Sequence, residues 1–398
     1  MVNTVDRAWF MLVGLLLVAA NLRAAITAVG PVLDDVRDSL QLSAFSGSIL
    51  VSIPLVAFAL FAPVAPKLAN LAGMERCLGL SLAVLAIGIC TRSLPWLPAL
   101  WLGTVLLGVG IAVMNVVIPS LLKRDFPDRI GQITGLYSAI QAMVAAAAAG
   151  LAVPIATITP GGWRLSLGIW AGLALIAIAV FWPQLHQRTL PAQEESFAVI
   201  SGYRSPWRSA LGWQVSIFMG LQSVVFYTLI TWLPSIEQAR GVAAGTAGFH
   251  MFLFNGMAIV GSLGIAALIP RRTNQQLILT ATSGLLFGTV VGLMAFPALS
   301  VLWVCGAGVG AGAVFVLALS MFGLRTVDHG QAAALSGMAQ CVGYLLAAIG
   351  PLAVGLLHDT VQSWTIALIV VLVVVVAMLA VGLFAARDQV VGWNAPTA

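Results

Sequence analysis

Residues Trp9–Val29 read WFMLVGLLLVAANLRAAITAV. This apolar run is long enough to cross a bilayer as one helix, yet it carries a guanidinium, Arg23, near its middle. Arginine keeps its charge at any working pH, and placing it at the centre of a spanning helix costs roughly 2.5–3.5 kcal/mol on insertion scales. Such a residue therefore faces a bundle interior or a watery cavity, not lipid. At about 1.5 Å per residue, Arg23 lies roughly 20 Å from the cytoplasmic end of the run, just past the midplane of a ~30 Å hydrocarbon core. The run is too long, and lacks the small-residue cleavage site, to be a removable signal peptide, so it is read as a span.

Eleven further runs follow, near 44–66, 77–94, 98–121, 131–155, 163–183, 211–233, 245–270, 275–296, 299–322, 330–355 and 361–386. Hydrophobic residues make up 61% of the chain and charged ones 8%. Soluble domains carry about 25% charged residues, so the composition excludes a soluble protein and predicts an all-α membrane protein of twelve transmembrane helices. No Asp or Glu falls within any predicted span, so Arg23 is expected to meet an anion or a strongly polar group arriving from outside the protein.

An even number of spans puts both termini on one side, and that side collects 13 of the 18 Lys and Arg. The other side holds Arg37, Arg92, Arg164 and Arg240. The asymmetry predicts cytoplasmic termini in a multi-pass protein of the plasma membrane. The net charge of +5 is thus a topology signal that needs no nucleic-acid partner. Cys77, Cys90, Cys305 and Cys341 sit singly in or beside different spans, without zinc or redox spacing, and are expected to be core residues forming no disulfide.

The fourth and tenth spans match at an offset of 200. Gly108-Val109-Gly110 corresponds to Gly308-Val309-Gly310, Leu102 to Leu302 and Asp128 to Asp328. At an offset of 199, Gly131-Gln132 matches Gly330-Gln331 and Gln141 matches Gln340. The chain is therefore expected to form two pseudo-symmetric six-helix bundles, 1–183 and 210–398, joined by a polar cytoplasmic linker over 184–209.

Two six-span halves with such a linker resemble the major facilitator superfamily of secondary transporters. Finer phrases resemble its cyanate and 2-nitroimidazole porter family: Asn21-Leu22-Arg23 with Gly30-Pro31-Val32-Leu33, then Gly73-Met74-Glu75-Arg76, then the run Ile118–Pro127 reading IPSLLKRDFP. Trp232-Leu233-Pro234 and the run Ala332–Gln340, AAALSGMAQ, extend the likeness along nearly the whole chain. The wider superfamily commonly places an Asp-Arg pair between Gly residues in the loop after the second span, whereas 66–75 here reads PKLANLAGME. The resemblance implies the major facilitator fold, alternating access and a cyanate- or 2-nitroimidazole-like solute. It also implies a single chain working as a monomer in the lipid bilayer, with no cofactor and no metal.

His250 lies about six residues into the eighth span, at nearly the height of Arg23, so the two are expected to face one cavity. Neutral, it would hydrogen-bond a ligand; protonated, it would add a second positive charge, and it is the expected proton site. The porter resemblance, which places a His at the equivalent point, favours that role over a satisfied histidine near a helix end. Gln340 and Tyr344 share a face at i and i+4, and Gln141 is the repeat mate of Gln340, expected across the same cavity. Gln222 and Tyr227 are the expected contacts from the seventh span, and Asn115, nearer the inner end of the fourth, is a candidate inner gate. Asn21 is about 200° round the helix from Arg23 and is assigned to packing.

Gly306, Gly308, Gly310 and Gly312 contain a dinucleotide-like spacing, but they lie in an apolar span with no preceding strand, so close helix approach is expected instead. Trp96, Trp101, Trp163, Trp207, Trp213, Trp232 and Trp364 fall near span ends and are read mostly as interfacial anchors. No nucleophile elbow, His-Glu-x-x-His or phosphate-binding lysine loop is present, so the chain is not read as an enzyme. Two alternatives stay open: a broad-specificity drug exporter, and a membrane sensor that binds the ligand without moving it.

Overall fold

The computed structural model describes residues 4–126, 130–186, 205–269, 274–326 and 329–391. Among them every regular element is helical, and 12 segments are long and apolar enough to cross a membrane. In chain order the helices are α1 Thr4–Thr27, α2 Leu33–Leu40, α3 Ala44–Phe61, α4 Ala65–Ala72, α5 Met74–Arg92, α6 Leu97–Asp125, α7 Ile130–Ile158, α8 Gly162–Gly168 and α9 Trp170–Phe181. They continue with α10 Ala210–Gln238, α11 Ala244–Leu268, α12 Gln276–Ala295, α13 Ser300–Leu324, α14 His329–Val361 and α15 Trp364–Ala385. Two compact units emerge: Met1–Ala192 with Ile230–Asn255, and Gln193–Leu229 with Gly256–Ala398. Most of the expected linker, residues 187–204, lies outside the described residues, as do Asp128 and Asp328 of the repeat.

In the first unit, α1 packs against α6, α7 and α9, and α5 against α6 and α9. Gly88 and Gly103 let the backbones of α5 and α6 touch, since a Cβ on either would collide with main-chain atoms of the other helix. The chain turns at Gly30-Pro31 through a short 3₁₀ turn into α2, whose first turn carries Asp34 and Asp35 where the helix dipole favours anions. Ser43 caps α3 by accepting the Ser46 amide at 3.1 Å.

The PKLANLAGME segment folds as α4 and the start of α5, so the second span ends at Phe61 and not at 66. Gly73 separates these helices at φ 89°, a region favouring glycine. Glu75, fully buried, then meets Arg124 at 2.7 Å, while Arg124 also binds Asp125 at 2.6 Å. The Arg76 Nε donates to the Leu185 carbonyl.

The second unit has a related arrangement at the same offset of 200: Gln275 stands where Glu75 stood. Arg325, 1% exposed, donates to the Gln275 amide oxygen and to the carbonyls of Ala385 and Ala386 at 2.9 Å. The glycine stripe of α13 does bring helices close: Gly312 faces the Ala258 carbonyl of α11, and Gly306 and Gly310 face Thr289 and Leu286 of α12. Leu263, Leu277, Val373 and Phe384 are exposed, as expected of side chains facing lipid.

Three expectations need correction. The seventh span does not stop at 233, because α10 runs through Pro234 to Gln238. The spans are not free of carboxylates: Glu75 and Glu237 are buried in end turns of α5 and α10 that the apolar runs left out, and Arg92 is buried at the end of α5. Trp232 and Trp163 are buried against protein and do not present their rings to lipid: the Trp232 ring lies 5.8 Å from the Arg37 guanidinium carbon, and the Trp163 Nε1 donates to Ser39 at 2.7 Å.

Candidate functional site

Arg23 lies one turn before Thr27 on α1, and the Thr27 hydroxyl donates to the Ala145 carbonyl of α7 at 3.1 Å. The first and fifth spans run in the same direction, so one turn earlier on α7 stands Gln141, level with Arg23. One turn earlier again is Tyr137, within electrostatic range of the Arg23 guanidinium and bonded to the Ser138 side chain. Arg23, Tyr137 and Gln141 are all half-buried. A fork of donors, a phenol and an amide thus come together around one level of unit one. Tyr137 was missed, although the i, i+4 argument that joins Gln340 to Tyr344 joins it to Gln141 just as well.

Asn21 is turned the other way, donating to the Leu17 carbonyl at 2.8 Å and across to Leu173 of α9 at 3.4 Å. Asn115 is half-buried on α6. Arg92, at the end of α5, donates to the Ala25 carbonyl at 2.8 Å, and its Nε and Nη2 have no hydrogen-bond partner among the described residues. It places a buried cation beside α1.

The expected pairing of His250 with the Arg23 level is replaced by a direct partner. The His250 Nδ1 lies 2.8 Å from Glu237 Oε1, with side chains 9% and 2% exposed. The sequence reading missed Glu237 because its apolar run ended at 233; Pro234 removes one hydrogen bond without ending a helix that neighbours support. The lost bond would have gone to the Ile230 carbonyl, and Gly30 backs onto that same carbonyl with no room for a Cβ. The Gly30-Pro31 and Trp232-Leu233-Pro234 phrases therefore meet in three dimensions, a close backbone approach on one side and a freed acceptor on the other.

In the second unit, the Gln222 amide is engaged locally, donating to the Ser223 hydroxyl at 2.6 Å, and is buried. Tyr227 is buried edge-on to Phe226, with ring centroids 5.2 Å apart. Gln340 donates to the Ser336 hydroxyl at 3.0 Å, one turn back on α14, and both Gln340 and Tyr344 are half-buried.

These features match known proteins along nearly the whole chain. The chain is 39% identical over 389 residues to the uncharacterized transporter YycB of Bacillus subtilis (strain 168), covering 97% of this chain and 96% of that protein. It is 37% identical to the 2-nitroimidazole transporter of Escherichia coli (strain K12), covering 95% of this chain and 96% of that one. The cyanate transport protein CynX of the same organism is 28% identical over 88% of this chain and 90% of its own length. A crystal structure of a bacterial homolog of the human lysosomal transporter Spinster superposes with a TM-score of 0.77 at 14% identity, covering 97% of this chain and 98% of that one. The nucleoside transporter NupG does so with a TM-score of 0.76 at 12% identity, covering 94% and 100%. Residues 13–348 match the Major Facilitator Superfamily, and with twelve membrane-crossing helices and these relatives, the chain belongs to that superfamily of transporters.

Proposed function

We propose that this transporter moves a small anionic or nitro-bearing solute, of the cyanate or 2-nitroimidazole kind, by alternating access in the plasma membrane with both termini cytoplasmic. The observation that carries the reading is Arg23, a half-buried guanidinium deep in the first span and within electrostatic range of Tyr137. A planar guanidinium offers parallel N–H donors that suit the two oxygens of a nitro group or carboxylate, and it balances a small anion's charge. The two relatives named for 2-nitroimidazole and cyanate support the same chemistry. The lopsided loop charge, 13 Lys and Arg against four, supports the orientation.

In this reading Arg23, Gln141, Gln222, Tyr227, Gln340 and Tyr344 are the residues that contact the solute. Asn115 acts near the inner end, and the protein works as a monomer without cofactor or metal. The test is exchange of cyanate and 2-nitroimidazole by purified protein in liposomes, beside a thermal-shift screen of small anions, nitroheterocycles and lipophilic cations. Stabilisation and exchange by the first two groups are expected. A response confined to lipophilic cations would instead identify a drug exporter.

A further inference from the structure

We infer that Glu237 and His250 form one proton-binding site that loads and unloads in step with solute movement, an inference that rests on the transport reading above. The pair ties the last turn of α10 to the second turn of α11 through a 2.8 Å contact. That contact survives in two protonation states. With a neutral imidazole donating its Nδ1 proton to the carboxylate, the pair carries one negative charge. One more proton, on the imidazole or the carboxyl group, brings the net charge to zero and keeps the bond. Because both states keep the contact, the pair can take up or release a proton when water reaches it and hold that state while it is covered. The proton comes from water and returns to water; only N–H and O–H bonds form and break.

The cover comes from helices of the first half. Gly30 backs onto Ile230, Arg37 of α2 lies over Trp232, and Gly150 and Val153 of α7 lie against Phe252 and Gly248. Moving these ends of α10 and α11 away from α1, α2 and α7 would therefore open the pair to water. Among the residues whose side chains are described, the charged and titratable groups on the surrounding elements are Arg23 on α1, Asp34, Asp35, Arg37 and Asp38 on α2, Tyr137 on α7, Tyr227 on α10, and Arg240 just beyond it. Arg37 is paired with Asp34 at 2.8 Å, and Asp35 and Asp38 are exposed. The Glu237–His250 contact is the buried carboxylate–imidazole pair among the described residues.

The experiment uses full-length protein in liposomes loaded with a pH-sensitive dye, with cyanate and 2-nitroimidazole as probes. Wild type should accumulate probe down an imposed pH gradient and move protons with it. Glu237→Gln and His250→Gln should each lose accumulation and proton movement while keeping probe-for-probe exchange, and the double variant should be no worse than either. Exchange by wild type without proton movement overturns the proton site and leaves the solute reading standing. Gradient-driven accumulation retained in the variants, or exchange lost along with it, also overturns it. If wild type exchanges neither probe, the solute reading fails and the site is still tested by infrared difference spectra between acid and alkaline pH. A carboxyl or imidazole titration that either single substitution removes supports the shared site; independent titrations, or none, overturn it.

Discussion

At the residue scale, a charge in the membrane interior is informative through what surrounds it. Arg23 keeps company with Tyr137 and Gln141, whereas the fully buried Glu75 is held by Arg124 at 2.7 Å. Different substitutions should separate the two situations. Arg23→Lys keeps the charge but loses the planar fork, so it should impair exchange of cyanate and 2-nitroimidazole almost as much as Arg23→Ala, with both variants inserted and folded. Normal exchange by Arg23→Lys would remove the fork from the argument; size-exclusion profiles and thermal unfolding supply the folding control. Arg124→Ala takes a partner from a buried carboxylate and should destabilise by about 3 kcal/mol, the lower part of the range for breaking buried pairs, because Arg124 itself is 28% exposed. Denaturant unfolding in detergent would read it, and Glu75→Gln, which removes the buried charge, should cost less.

At the element scale, helix ends are set by neighbours as much as by local sequence. The seventh apolar run ends at 233, yet α10 continues four residues beyond Pro234 and delivers Glu237 to His250. What supports the interrupted turn is the approach of Gly30 to the Ile230 carbonyl, the acceptor proline leaves free. Gly30→Ala would push a Cβ into that carbonyl, with no flexible side chain able to give way, and should destabilise by about 1–3 kcal/mol, the usual range for overpacking. Gly312→Ala, which meets the Ala258 carbonyl in the second unit, should cost a similar amount. Gly256→Ala, which meets open space, is the matched control and should leave the melting temperature unchanged or slightly raised. A thermal-shift series on the three variants checks the ordering.

At the scale of the whole molecule, the orientation drawn from loop charge is directly measurable. In a cysteine-free background, cysteines introduced at Thr4 and Ala398 should react with an impermeant thiol reagent only from the cytoplasmic face, and one at Gln41 only from the outside. The reverse pattern would overturn the charge-based topology. Twelve spans and the superfamily fold were legible in the sequence, because hydropathy and loop charge add up locally along a chain and do not depend on which helix touches which. The glycine stripe of α13 was legible for the same reason, since small residues at helical spacing permit close approach to any neighbour. Tertiary structure alone decided that His250 pairs with Glu237, that Thr27 of α1 meets Ala145 one turn after Gln141 on α7, and that Trp232 is buried beneath Arg37. Each of these depends on which turn of one helix faces which turn of another. That register is fixed by backbone contacts at residues such as Gly30, whose partner Ile230 lies far away in the chain, and a period of 3.6 residues carries no information about the partner.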